Sequence, residues 1–65
     1  FRIIERIIEL HLTPLQRQIL HMKEYENKDY EEIAEILGMQ PPAVRMQMSR
    51  ARKEIRACYL KQMER

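Results

Sequence analysis

YEEIAEILGMQPPAVRMQMSRARK, residues 30–53, reads as a short helix, a tight turn at Gly38 and a second helix loaded with arginines. Three positions set its geometry. Ala34 is small enough to let two helices approach closely. Gly38, four residues on, can take the positive φ that ends the first helix. Val44, six residues further, offers a β-branched side chain that packs the second helix back on the first. This is the spacing of a helix-turn-helix, a device that carries its second helix into the major groove of DNA.

Helix signals continue on both sides of this stretch. Asp29 and Glu32 have the spacing of a capping box for a helix over 30–37, whose inner face is Ile33, Ala34 and Leu37 with Tyr30 at its edge. Upstream, Thr13-Pro14-Leu15-Gln16 joins a cap, a proline suited to the first helical position and a second capping box. The pattern predicts a helix over about 14–25 with Leu15, Ile19 and Met22 inward, stopped by Asn27 in a left-handed conformation. Ile3, Ile4, Ile7 and Ile8 mark the expected core face of a helix over about 2–11. The last helix starts near Pro41 or Pro42 and runs to about 62; Pro42 disfavours helical geometry at Pro41. The expected fold is all-α, a small four-helix domain over 1–65.

Sixty-five residues allow one small domain with a thin core. The chain opens on Phe1 rather than methionine, from which a piece of a longer protein is expected. One cysteine, Cys58, excludes an internal disulfide and fits a reducing, cytoplasmic setting. No run of apolar residues is long enough to span a bilayer, so no membrane partner is expected. The net charge of +2 conceals an asymmetry. Residues 1–38 hold five Lys/Arg against eight Asp/Glu, whereas residues 39–65 hold seven against two. A polyanionic partner on the C-terminal side follows.

At 100° per residue the last helix separates into faces. Val44, Met48, Ala51 and Ile55, with Cys58 alongside, form the core stripe. Pro42, Met46, Ser49 and Lys53 lie opposite, with Arg45, Arg52 and Arg56 on one flank and Ala43 and Arg50 on the other. A charge run alone is more often a solvated face. Joined to the Ala34/Gly38/Val44 spacing it points to nucleic acid.

LTPLQRQILHMKEYENKDYEEIAEILGMQPPAVRMQMSRARKEIR resembles region 4 of bacterial RNA polymerase sigma factors, in the extracytoplasmic-function branch, over about residues 12–60. The acidic YEEIA opening and the SRAR segment carry the likeness. The resemblance implies double-stranded promoter DNA as ligand, read at the minus-35 element. It also implies docking on the β flap of RNA polymerase core and sequestration by an anti-sigma factor. Arg45, Met46, Ser49 and Arg50 fall on the family's main base- and backbone-contacting positions, and Pro41, Pro42 and Ala43 on the helix start against the DNA backbone. Arg17 matches a family arginine that can approach phosphate; a salt bridge within the protein is an equally good reading.

The chain departs from the usual pattern at several positions. Gln40 replaces a common serine-like cap, Pro42-Ala43 a frequent Gly-Thr, Met46-Gln47 a frequent Ser-Arg, and Lys28 a hydrophobe. Two adjacent prolines remove N–H donors that would hold a phosphate, so anchoring is expected to shift to Arg45, Arg50 and Arg52, with Lys53 on the same face. Met46 offers apolar contact, such as to a thymine methyl, but no bidentate hydrogen bond.

No nucleophile–base set, phosphate loop or separated carboxylate pair is present, so no enzyme and no cofactor are expected. His11 and His21 have no carboxylate or cysteine at metal-ligand spacing in the sequence and read as surface or partly packed residues, and Cys58 as an inert thiol beside the core. Glu31, Glu32 and Glu35 read as a solvated face turned from DNA. Two alternatives stand beside the sigma reading: a response-regulator-type output domain, which would bind paired half-sites as a homodimer, and a protein-interaction module that docks an acidic partner.

Overall fold

The computed structural model describes residues 2–63, with side chains from 3 to 61. Its helices are α1 (Arg2–His11), α2 (Pro14–Leu20), α3 (Tyr30–Leu37) and α4 (Pro41–Met63). α2 continues directly into a π-helical turn over His21–Tyr25. The all-α expectation and the expected bounds of α1, α3 and α4 agree with this order. α4 packs against each of the other three helices. At 1.5 Å per residue it is about 34 Å long, which accounts for most of the 41 Å long axis.

The ends of α2 and α3 are fixed by short polar signals. Gln16 N–H donates to Thr13 Oγ1 at 3.1 Å, and Thr13 N–H donates to Gln16 Oε1 at 3.2 Å. Asp29 and Glu32 repeat the arrangement at 2.8 and 3.1 Å. Each box satisfies two amides that a helix start leaves unpaired. Gly38 ends α3 at φ +69°, where Met39 N–H reaches the Ala34 carbonyl at 2.8 Å. Gly38 N–H points to the Glu35 carbonyl at 3.4 Å, which completes a Schellman-type closure. Asn27 takes φ +58° between the π turn and α3, as its residue type suggests.

The core is one cluster: Leu12, Ile19, Leu20, Met22, Ile33, Ala34, Val44, Met48 and Ala51, with Ile8, Leu15, Tyr30, Leu37, Met39 and Ile55 packed at its margin. The inner faces expected for α3 and α4 are therefore present. Leu12 and Leu20 join them without having been marked by the periodicity.

Two expectations need correction. Ile7 is buried and Ile8 half-buried, but Ile3 and Ile4 keep 41% and 40% of their surface exposed, so α1 does not bury its full isoleucine face. α1 packs mainly on α4, and Ile4 borders an open groove shared with Ile8, Leu20, Tyr25 and Ile55. The second correction concerns the end of α2, where an ordinary helix to residue 25 is replaced by the wider turn. Glu26 N–H bonds the His21 carbonyl at 3.2 Å, five residues back, and Lys28 N–H bonds the Met22 carbonyl at 3.0 Å. Neither glycine nor proline marks this widening. It accompanies the burial of Met22 while Lys23 and Glu24 reach toward α3 and α4.

Candidate nucleic-acid interface

α4 begins with Pro41 and Pro42 inside its first turn. Their missing N–H groups lie where a helix has no internal acceptor to offer, so both are tolerated there. The restriction that Pro42 places on Pro41 does not move the start. Ala43 N–H donates to the Gln40 carbonyl at 2.9 Å and Val44 N–H to the same oxygen at 3.2 Å. The first turn thus presents no free amide to an anion, unlike an ordinary helix N-terminus. Anion contact at this end falls to side chains.

Those side chains are exposed. Pro42, Arg45, Met46, Ser49, Arg50, Arg52 and Lys53 face solvent, whereas Pro41 and Ala43 are half-buried at the helix start. Met46 leaves half of its surface open, as do Leu10, Ile36 and Leu60 elsewhere in the domain. Arg45, Ser49, Arg52, Lys53 and Arg56 line one concavity of about 310 Å³ together with Tyr30 of α3. Four cations around one open cleft make a strongly positive surface, suited to a polyanion. Arg50 and Met46 lie outside this cleft lining, so the candidate interface is broader than the cleft.

Contacts from the preceding elements hold the cations. The Arg45 guanidinium carbon lies over the Tyr30 ring, 5.7 Å from its centroid, and Lys23 Nζ lies 4.8 Å from the same centroid. Arg52 Nη2 donates to Glu24 Oε2 at 3.1 Å. The base of α4 is tied to α2 by Gln16 Nε2, which donates to Gln47 Oε1 at 3.3 Å while Gln16 Oε1 serves the capping box. Gln16 therefore links the start of α2 to α4.

Arg17 sits apart from the α4 cleft. Its Nη1 donates to the Glu9 carbonyl at 2.9 Å, so its charge meets the C-terminal end of α1. In the turn before α3, Lys28 Nζ lies 2.8 Å from Glu26 Oε1 and His21 Nδ1 lies 3.2 Å from Glu26 Oε2. The Lys28 ammonium holds the Glu26 carboxyl below its ordinary range, chiefly through their hydrogen bond, and Glu26 in turn raises Lys28. These charges order the turn that leads into the helix-turn-helix.

Three further residues come together away from the basic face. His11 at the end of α1 and Glu54 and Cys58 of α4 bring their ligating atoms within 4.8 Å of one another. Linear spacing concealed this set, because His11 is distant in sequence. Cys58 is half-buried; loss of hydration, reinforced by Glu54, pushes its thiol above the ordinary range despite the opposing charge of Lys61.

An all-α domain with a Gly38-closed helix pair and a cationic second helix defines a helix-turn-helix protein of the nucleic-acid-binding class. The family model described as sigma-70, region 4, matches residues 2–55, and the chain belongs to that family. No curated protein and no solved structure matches the chain. No helix among the described residues is long and apolar enough to cross a membrane.

Proposed function

We propose that this domain directs RNA polymerase to promoters by reading the minus-35 element with α4, in the manner of the extracytoplasmic-function branch of sigma factors. One observation carries the reading. Arg45, Ser49, Arg52, Lys53 and Arg56 share an open cleft on a helix whose angle to its partner is fixed by the Gly38 turn. A helix with its side chains is about 10–12 Å across, and the major groove is about 12 Å wide. Seated there, α4 puts Met46 and Ser49 toward base edges, and Arg45, Arg50, Arg52 and Lys53 toward bases and phosphates. Met46 favours a thymine methyl. Pro41, Pro42 and Ala43 approach the backbone sterically rather than through amide hydrogen bonds, and Arg17 contributes to phosphate only by leaving the Glu9 carbonyl.

The protein partners belong on another surface. Ile4, Ile8, Leu20, Tyr25 and Ile55 line an apolar groove of about 290 Å³ with Glu24 and Arg52 at its margin. This groove is our choice for the β flap of polymerase core or for an anti-sigma factor that competes with it, all within the cytoplasm. Selection of bound sequences from a random duplex pool tests the DNA reading. Enrichment of one short asymmetric element, occupied by one copy of the protein, is expected. Failure to enrich any sequence while a flap peptide is retained would favour a protein-interaction module, and a paired half-site would favour a dimeric output domain.

A further inference from the structure

His11, Glu54 and Cys58 carry no role in the proposed DNA face, although Glu54 follows Lys53 on α4 and lies one turn beyond Arg50; Cys58 is thirteen positions beyond Arg45, about 20 Å along the helix axis. We propose that His11, Glu54 and Cys58 form a binding site for a zinc-class divalent cation, which ties the C-terminal end of α1 to the second half of α4.

Ligand placement supports this. Glu54 and Cys58 are four apart on one helix, so their side chains project from the same face. Cys58 Sγ and Glu54 Oε2 are 3.4 Å apart. A tetrahedral ion with bonds of about 2.0–2.3 Å holds neighbouring ligand atoms roughly 3.3–3.7 Å apart. The sulfur and the carboxylate oxygen already have this separation. His11 is exposed at the last position of α1, and the atoms of all three groups lie within 4.8 Å, so rotation of one surface imidazole closes the set.

Ligand chemistry narrows the ion. One imidazole nitrogen, one carboxylate oxygen and one thiolate sulfur suit Zn²⁺ and its substitute Co²⁺ rather than Mg²⁺ or Ca²⁺, which take oxygen alone. Three protein ligands leave a fourth position for water or an outside donor. On binding, Cys58 gives up its thiol proton to solvent, and the hydrogen bond to Glu54 is replaced by two bonds to the metal. The ion would thereby cross-link two helices that already pack against each other.

Co²⁺ titration of the purified protein tests the site, because thiolate coordination to cobalt gives a near-ultraviolet charge-transfer band and tetrahedral geometry gives intense visible bands. The expected result is one equivalent of Co²⁺ bound with both features and displaced by Zn²⁺. Cys58→Ser should abolish the charge-transfer band, and His11→Ala and Glu54→Gln should each weaken Co²⁺ binding at least tenfold. Circular dichroism on each variant establishes that the helices persist, and Zn²⁺ should raise the Tm of the wild type but not of His11→Ala. Absence of the charge-transfer band, or wild-type affinity in either His11→Ala or Glu54→Gln, overturns the three-ligand site.

Discussion

The guanidinium of Arg45 is carried over the ring of Tyr30, 5.7 Å from its centroid, so the first residue of α3 supports a cation of α4. The ring also faces Lys23, 4.8 Å away, which gathers positive charge from the π turn to the same edge. An exposed cation–π contact contributes about 0.5–1 kcal/mol. Tyr30→Phe keeps the ring and should leave DNA affinity within twofold of wild type. Tyr30→Leu should weaken binding about two- to fivefold, measured by fluorescence anisotropy on a duplex carrying the selected element. Equal affinities for the two variants would mean that the ring does not organise Arg45.

Glu24 bears on the same surface from another side. Its pair with Arg52 is exposed and contributes little to stability, about 0–1 kcal/mol. Glu24→Gln frees a guanidinium and removes a negative charge beside the cleft. Affinity for DNA should rise about two- to fivefold at low salt, with the gain fading as salt screens the surface. Unchanged or weaker affinity at low salt would show that Glu24 positions Arg52 rather than competing for it.

At Gly38 the constraint is conformational. Its φ of +69° disfavours an L side chain, yet a Cβ added there would meet no atom within 4 Å. Gly38→Ala should therefore lose about 1–2 kcal/mol by chemical denaturation, from backbone strain without a clash. Gly38→Asn, which tolerates the left-handed region, should lose less. A larger loss with Asn than with Ala would contradict the assignment.

The charges of the turn before α3 give a pH signature. Glu26 is held below its usual value of 4.5, so its contribution is present above that value and is lost as pH falls through the lowered one. Lys28 is raised above 10.5, so the same pair is intact below that value and is lost as pH rises through the raised one. The Tm difference between wild type and Glu26→Gln should persist between these two limits and should close at both extremes. A difference that widens on acidification would contradict this pairing.

Much of the fold was legible because its boundaries are written locally. Thr13 with Gln16, Asp29 with Glu32, Asn27 and Gly38 each act within a few residues of themselves, and each takes the conformation that its type suggests. The same holds for the exposed arginines of α4, whose faces follow from helical geometry alone. The remaining features depend on partners distant in sequence. Helical periodicity on α1 could not reveal that Ile3 and Ile4 lack full cover, nor could the residues 21–25 announce a wider turn. Arg17 on the Glu9 carbonyl, Arg52 on Glu24, Tyr30 beneath Arg45, and His11 beside Glu54 and Cys58 all require the packed helices. The aromatic residue at the start of α3 was the one available hint of a support for Arg45.

The most direct test of α4 as a DNA-reading helix is the salt dependence of duplex binding, compared between the wild type and single variants along that helix. If Arg50, Arg52, Lys53 and Arg56 meet phosphate while Arg45 meets a base, log K against log salt should approach a slope of about −3.6. Loss of a phosphate contact at Arg52 should reduce that slope by about one, and loss of a base contact at Arg45 should cost about 1–3 kcal/mol and relax one position of the element. Lys61→Ala, toward the other end of α4, should change neither quantity. Duplex binding that is insensitive to salt, or that responds to Lys61→Ala as strongly as to Arg45→Ala and Arg52→Ala, would contradict the account.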